Sequence, residues 1–254
     1  MRAVQEKIPA PEPINGGKES EGPQRRLLRG YLHKTSNGLC GIKGYASLIA
    51  EGGVQEGSSV QWAKKIIHEV ERMEEIFRSV GDLNHTREKP GKSTGIHEVV
   101  TDAVRRCSLR HENLNIETGF IPVGELLLPA ADLGMILDEV IANSAEARDP
   151  AMDYILVRIS GSVGPQGRVS LTIQDNGPGI EECLIRQVAD PFVTTRSGHL
   201  GIGLTRIETL LDMYGLGWKL SSELNFGTAV TLEVGKFAGW MPERNLMKRK
   251  VENG

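Results

Sequence analysis

Three segments of this chain combine residue types that could handle a ligand. DNGPGI, from Asp175 to Ile180, directly follows the strand-like run VSLTIQ. A carboxylate at a strand end accepts hydrogen bonds, and the neighbouring glycines let a ligand lie close against the backbone. The same string could also be an ordinary turn. GHLGIGLT, from Gly198 to Thr205, is a glycine-rich loop running into a helix start, which presents backbone N–H groups and the positive end of the helix dipole to phosphate. In LDEVIANSAEA, Glu139 and Asn143 lie four residues apart and share one helix face. A carboxylate and an amide together can hold hydrated magnesium, an ion that takes few protein ligands alongside substrate phosphates. Standing alone, the pair also fits a plain polar helix face. A further group is His33 in LHKTSNGLC, because neutral imidazole on a helix surface is nucleophilic near pH 7. His68, His85, His97 and His111 have no such context and read as surface or packing residues, while His199 lies in the glycine-rich segment.

These residues need elements to position them. Leu27, Leu28, Tyr31, Leu32, Leu39, Ile42, Tyr45, Leu48 and Ile49 predict one helix from Gln24 to about Glu51, weakened by Gly38, Gly41 and Gly44. EGGVQEGSS breaks it, and Trp62, Ile66, Ile67, Val70, Met73, Ile76, Phe77, Val80 and Leu83 mark a second amphipathic helix. A lone hairpin is too thin to bury such a stripe, and two copies pairing into a four-helix bundle would solve that, so a homodimer is expected. REKPGKST, residues 87–94, reads as a linker. Beyond it, helices are expected over Gly95–Arg110, Ala131–Arg148 and Ile202–Tyr214. Strands are expected near Leu114–Phe120, Glu125–Leu128, Tyr154–Ser160 and Val169–Gln174, with a closing hairpin of Trp218–Ser222 and Thr228–Val234. The fold class is therefore α+β: a helical hairpin, then helices packed on a mixed sheet.

Composition sets the outer bounds. The chain has 254 residues, 39% hydrophobic and 25% charged, which excludes collagen-like and disordered classes and allows one large domain or two small ones. No apolar run is long enough to cross a bilayer and the N-terminus has no signal-peptide core, so a cytoplasmic protein without an integral membrane segment is expected. A net charge of -3 offers no general attraction for nucleic acid. Cys40, Cys107 and Cys183 are odd in number, widely spaced and without CxxC, which fits neither a disulfide framework nor a structural zinc site. The expected organisation is a tail over 1–22, the hairpin over 23–88, a second domain over 95–235 and a basic tail over 236–254.

Taken in order, the segments over 95–235 resemble the ATP-binding catalytic domain of the GHKL superfamily, as found in bacterial sensor histidine kinases. Glu139 and Asn143 match its asparagine box, DNGPGI its first glycine box, PFVTTR at Pro191 to Arg196 its phenylalanine box, and GIGL at Gly201 to Leu204 its second glycine box. FGTAVTLEV is similar to its closing hairpin. The resemblance implies a Bergerat-type α/β sandwich that binds ATP and magnesium. Asp175 would accept from the adenine amine with Thr228 assisting through water, and Asn143 would ligate magnesium while Glu139 ordered its water shell. Gly177, Gly179 and Ile180 would open a lid running from Glu181 to Leu200, and Gly201, Gly203 and Leu204 would meet phosphate.

The hairpin resembles the same family's dimerisation and phosphoacceptor domain, with His33 as acceptor and Asn37 four residues on. Most members carry an acidic residue directly after the acceptor, where this chain has Lys34. A lysine at its ordinary pKa of ~10.4 is protonated and cannot act as a base. The resemblance implies an ATP-dependent protein histidine kinase that labels His33 and passes the phosphoryl group to an aspartate of a response-regulator receiver domain. A degenerate kinase serving as a relay or regulator-binding adaptor, and another GHKL-type ATPase, are the alternative readings.

Overall fold

The computed structural model describes residues 22–51, 58–81, 95–147, 152–194, 196 and 199–237. The expected linker at 87–94, the tail over 1–22 apart from Gly22, and the C-terminal tail beyond residue 237 lie outside the described residues. The chain divides into two units. Within the described residues one comprises 95–187 with 211–237, and the other 22–81 with 188–210.

In the helical unit, α1 (Pro23–Ala50) opens with proline at its first position, where a missing N–H costs no helix bond. The second helix is α2 (Ser58–Gly81). The two run antiparallel. Gly38 meets Met73, Gly41 meets Glu69, and Tyr45 stacks on Trp62 with ring centroids 5.4 Å apart. A Cβ on Gly38 would lie 3.1 Å from the Met73 sulfur, so this helix-weakening residue serves close approach of α2. Leu27, Tyr31 and Ile76 form a small core. Part of the expected stripe is uncovered within one chain: Leu28, Leu32, Leu39 and Leu48 on α1, with Ile67 and Phe77 on α2, stand between 44% and 62% exposed, whereas Ile42, Tyr45, Ile49, Trp62, Ile66 and Met73 are half-buried.

The other unit begins with α3 (Ile96–Arg110), followed by β1 (Leu114–Thr118), β2 (Gly124–Leu126) and α4 (Ala130–Glu146). The chain continues through β3 (Ile155–Val163), β4 (Arg168–Asp175) and a short α5 (Glu182–Ile185). It then runs into α6 (Gly203–Met213), β5 (Trp218–Glu223) and β6 (Gly227–Phe237). The sheet order is β1-β3-β4-β6-β2, with β5 also paired to β6. Among the described residues β1 and β3 run parallel and the other pairs are antiparallel, so the sheet is mixed as expected. The closing strand extends to Phe237, three residues past the sequence reading. β5 covers its first half and β2 its end along the same edge, while β4 covers the other edge.

The sheet buries one face, and period-two alternation sets which. Val169, Leu171 and Ile173 on β4 and Ile155, Val157 and Ile159 on β3 are buried; the residues between them on β4 are polar, and on β3 they are Leu156 and Arg158. Against this face α4 turns Leu133, Ile136, Leu137, Val140 and Ile141, spaced three and four apart. Among the described residues no helix is long and apolar enough to cross a membrane.

Candidate functional site

Two apolar stripes in the sheet unit each end in a polar residue. Continuing the β4 alternation past Ile173 puts Asp175 on the buried face, opposite Val157 of β3 and 8% exposed. Continuing the α4 stripe past Val140 and Ile141 puts Ser144 inward, 5% exposed. The two meet: Ser144 Oγ donates to Asp175 Oδ2 at 2.9 Å. The other carboxylate oxygen, Oδ1, accepts from the Gly177 N–H at 2.9 Å and the Thr228 N–H at 3.1 Å. Oδ1 thus has both lone pairs engaged, whereas Oδ2 keeps one for a further donor. Three donors fix the carboxylate rigidly at the sheet end.

The loop after Asp175 is tied to the closing hairpin. Asn225 N–H donates to the Pro178 carbonyl at 2.7 Å, and Ile180 N–H to Ser222 Oγ at 2.8 Å. Ser222 Oγ in turn donates to the Gly227 carbonyl at 2.9 Å and lies 2.8 Å from Thr228 Oγ1. Since the single Ser222 proton is used on Gly227, Thr228 is the donor of that pair, and its own oxygen remains an acceptor. Gly179 and Gly227 take φ of +72° and +113°, and a Cβ on either would collide with backbone, at Glu223 O and Asp175 O respectively. These two glycines are what let the turn after β4 and the turn before β6 close on each other. Asn176 caps the neighbouring strand, its Oδ1 accepting the Leu156 N–H at 2.8 Å.

Glu139 and Asn143 lie half-buried on α4, one helical turn apart beside the Ser144 stripe, and both make polar interactions within the protein. A cavity of about 560 Å³ between α3 and α4 reaches Glu139 but not Asn143 or Asp175. Its wall is braced by Arg106, which donates two bonds to Asp138 at 2.9 and 3.0 Å. Those bonds hold the Arg106 guanidinium above its ordinary pKa. Cys107 sits behind this pair, donating to Asp138 Oδ1 at 3.7 Å. Burial, then the Asp138 charge, pushes its thiol up to about 11.

The remaining sequence-derived residues fall in the helical unit. His33 and Asn37 are exposed on α1, with Asn37 Nδ2 3.5 Å from His33 Nδ1. Gly201, Gly203 and Leu204 lie at the start of α6, Gly201 with φ of +67° against Val193. Ser144 and Ser222 escaped the sequence reading. The signal for Ser144 was available, since it sits in phase with the α4 stripe where another apolar residue was expected. Ser222 carries no such signal.

Residues 129–236 match the family described as histidine kinase-, DNA gyrase B- and HSP90-like ATPase. Among curated relatives, the sensory histidine kinase/phosphatase NtrB of Escherichia coli O157:H7 is 26% identical over 201 residues, covering 75% of this chain and 56% of the relative. Sensor histidine kinase ZraS of Salmonella typhimurium is 21% identical over 216 residues, covering 85% of this chain and 45% of the relative. The chain thus spans about half the length of the curated relatives it matches. Among solved structures, the mycobacterial sensor histidine kinase MprB aligns with a TM-score of 0.50 at 20% identity, covering 56% of this chain and 97% of that one. Full-length ShkA in complex with AMPPNP aligns with a TM-score of 0.56 at 17% identity, covering 86% and 47%.

Proposed function

We propose, from the premise that residues 129–236 form a domain of the histidine kinase-, DNA gyrase B- and HSP90-like ATPase family, that this chain is an ATP-dependent protein histidine kinase. The observation carrying this reading is the buried Asp175 carboxylate, held by Ser144, Gly177 and Thr228 with one lone pair of Oδ2 uncommitted. A rigid anionic acceptor at a strand end suits an exocyclic amine of a purine. The Thr228 hydroxyl oxygen beside it suits a water bridging to the same base. The donor set on α4 also fits magnesium, because Glu139 and Asn143 offer hard oxygens on one helix face, few enough for an ion that keeps most of its waters. Bound there, magnesium would neutralise phosphate charge. Gly201, Gly203 and Leu204 are assigned to the phosphates and residues 181–200 to the lid.

The acceptor is His33. A bond forms between an imidazole nitrogen and the γ-phosphorus, the bond to the β,γ-bridging oxygen breaks, and ADP leaves. The attacking nitrogen must hold a lone pair, so the other must hold the proton. Asn37 decides which is which: its Nδ2 lies 3.5 Å from Nδ1 and as a donor would favour the tautomer protonated on Nε2, whereas turning the amide over brings its oxygen to Nδ1, where it accepts the Nδ1–H bond and leaves Nε2 as nucleophile. Transfer of this kind depends on positioning and charge neutralisation more than on covalent chemistry by the protein. The phosphoryl group then passes to an aspartate of a response-regulator receiver domain. The exposed apolar faces of α1 and α2 pair with those of a second copy, so the hairpin over 23–88 works as a dimer beside a catalytic domain over 95–235.

Labelled ATP with magnesium should give an acid-labile, alkali-stable label that is absent from His33→Gln. Label persisting in that variant sinks the assignment. A wild-type chain that does not bind ATP in calorimetry favours the adaptor reading instead.

A further inference from the structure

The helix that carries His33 is basic and free of acid. From Pro23 to Ala50, α1 holds Arg25, Arg26, Arg29, Lys34 and Lys43 and no aspartate or glutamate, in a chain of net charge -3, whereas α2 sets Glu69, Glu71, Glu74 and Glu75 among its cations. Helical spacing sorts the cations near His33. Arg29 falls one turn before it and about 40° to one side, with Arg25 a further turn back on that side. Arg25, Arg29, His33 and Asn37 are all exposed and make one face of α1. Like charges four residues apart destabilise a helix, so Arg25 and Arg29 carry a local cost. Arg26 and Lys34 turn elsewhere. Arg26 bonds Asp190 Oδ1 at 3.3 Å and Glu208 Oε2 at 2.7 Å, and Lys34 Nζ stands 5.6 Å from the Phe192 ring centroid. Gly30, on the other flank of His33, adds no side chain, and Phe192 Cε2 lies 2.7 Å from where its Cβ would be.

The imidazole points the same way. Asn37, one turn after His33, lies 3.5 Å from Nδ1, so the Nδ1 edge of the ring faces the C-terminal end of α1. Nε2 belongs to the opposite edge and faces the turn that carries Arg29. Side chains on a helix lean toward its N-terminus, which brings the ring over that same turn.

We propose that Arg29 is the cation that meets the phosphoryl group at His33, its N–H donors engaging the phosphoryl oxygens as the bond to Nε2 forms and holding them afterwards. This rests on the reading of His33 as acceptor. Arg29 already has an interaction within the protein, but a guanidinium has five N–H donors, enough for that partner and for phosphoryl oxygens. The Nε2 lone pair forms the new bond, the bond from phosphorus to the β,γ-bridging oxygen breaks with its electron pair staying on ADP, and the Nδ1 proton remains on the ring until water takes it. Arg29 stays protonated throughout and supplies charge alone.

Phosphoramidate tests the contact without ATP, because it labels imidazole directly: phosphorus bonds Nε2 and ammonia leaves. On the full chain, with the His33 peptide followed by mass spectrometry, Arg29→Gln should take label from phosphoramidate about two- to fivefold more slowly, the scale of one exposed ion pair. Exposed His68 on α2 is the internal reference and should not change. Labelling by saturating ATP should slow about tenfold, since the γ-phosphoryl must also be held in line, while calorimetry should give wild-type affinity for ATP. Arg29→Lys should fall between the two, having the charge without the fork. Arg25→Gln should slow either reaction less than Arg29→Gln. A wild-type phosphoramidate rate in Arg29→Gln overturns the contact, and so does an equal fall in Arg25→Gln, which a general basic field would explain. Should Arg29→Gln lose its fold, Arg29→Lys decides, and wild-type rates there overturn the contact. A His33 peptide that takes no label in the wild-type chain refutes His33 as acceptor and the contact with it. Label from phosphoramidate but never from ATP refutes the kinase reading, while the phosphoramidate rates still decide Arg29.

Discussion

Replacing Asp175 with asparagine separates a binding role from a structural one, because the hydrogen-bond geometry predicts where each amide atom must go. Oδ1 accepts two backbone N–H groups, from Gly177 at 2.9 Å and Thr228 at 3.1 Å, so the asparagine carbonyl must take that side. The NH2 group then faces Ser144 Oγ, 2.9 Å from the former Oδ2. Ser144 can turn its own hydrogen to the Val140 carbonyl, 3.3 Å away, and accept from the new NH2. Every buried polar group keeps a partner, so the fold should lose no more than about 1 kcal/mol. The ligand fares differently. Where Oδ2 offered a lone pair to the adenine amine, the variant offers a second donor. Loss of a hydrogen bond to a charged acceptor is about 1.5–3 kcal/mol, or roughly 10- to 150-fold in dissociation constant. Inosine triphosphate carries a carbonyl at that position of its base, so Asp175→Asn should bind it better than ATP. Calorimetry with both nucleotides, alongside a thermal melt, reads each arm. A folded variant that binds ATP like wild type refutes the assignment of Asp175 to the base. A variant that loses both nucleotides and melts early refutes the hydrogen-bond reasoning and makes Asp175 a structural residue.

Four further outcomes follow from the same geometry. Asn37→Asp places a carboxylate where the amide lies 3.5 Å from His33 Nδ1, and labelling at neutral pH should quicken toward about 100-fold, the scale of a positioned general base; a rate no higher than wild type would refute the Nδ1 role given to residue 37. The folded Cys107 thiol, at about 11, keeps its proton above the ordinary thiol value of 9.0. Its contribution is therefore full below pH 9 and lost as pH climbs toward 11, and urea midpoints at pH 8 and 10.5 should converge in Cys107→Ala. With Cys40 and Cys183 exposed and Cys107 buried, a thiol reagent at pH 8 should modify only the first two before unfolding. Leu32→Glu with Ile67→Glu, both more than half exposed in the single chain, should shift light scattering from dimer to monomer, and a wild-type monomer at micromolar concentration would remove the bundle.

Periodicity made most elements legible, since the α4 stripe and the β4 alternation are local patterns that burial then enforces. It did not reach the partners that give those patterns meaning. Asp175 was readable as a carboxylate at a strand end, but its donor Ser144 lies 31 residues earlier and looks in sequence like one more small residue in a polar box. The glycines of DNGPGI suggested room for a ligand, whereas Gly179 and Gly227 are bound to the meeting of two chain turns.

The segment 188–210 is the clearest case of what spacing alone cannot deliver. PFVTTR, read along the chain, belongs to the run between two glycine boxes, and nothing local marks Phe192 as the ring that takes the place of a side chain at Gly30, more than 150 residues away. Gly30 was equally opaque, because a glycine inside a helical pattern reads only as a weakness until the ring above it is known. Both residues carry a local cost, a left-handed backbone at Phe192 and a missing side chain at Gly30. Two such costs that cancel through one non-local contact are better evidence of selection for that contact than either residue by itself. By the same logic Lys34 is a departure from its neighbours' chemistry only when viewed beside His33. Viewed beside Phe192, 5.6 Å from the ring centroid, it is a cation that the ring attracts.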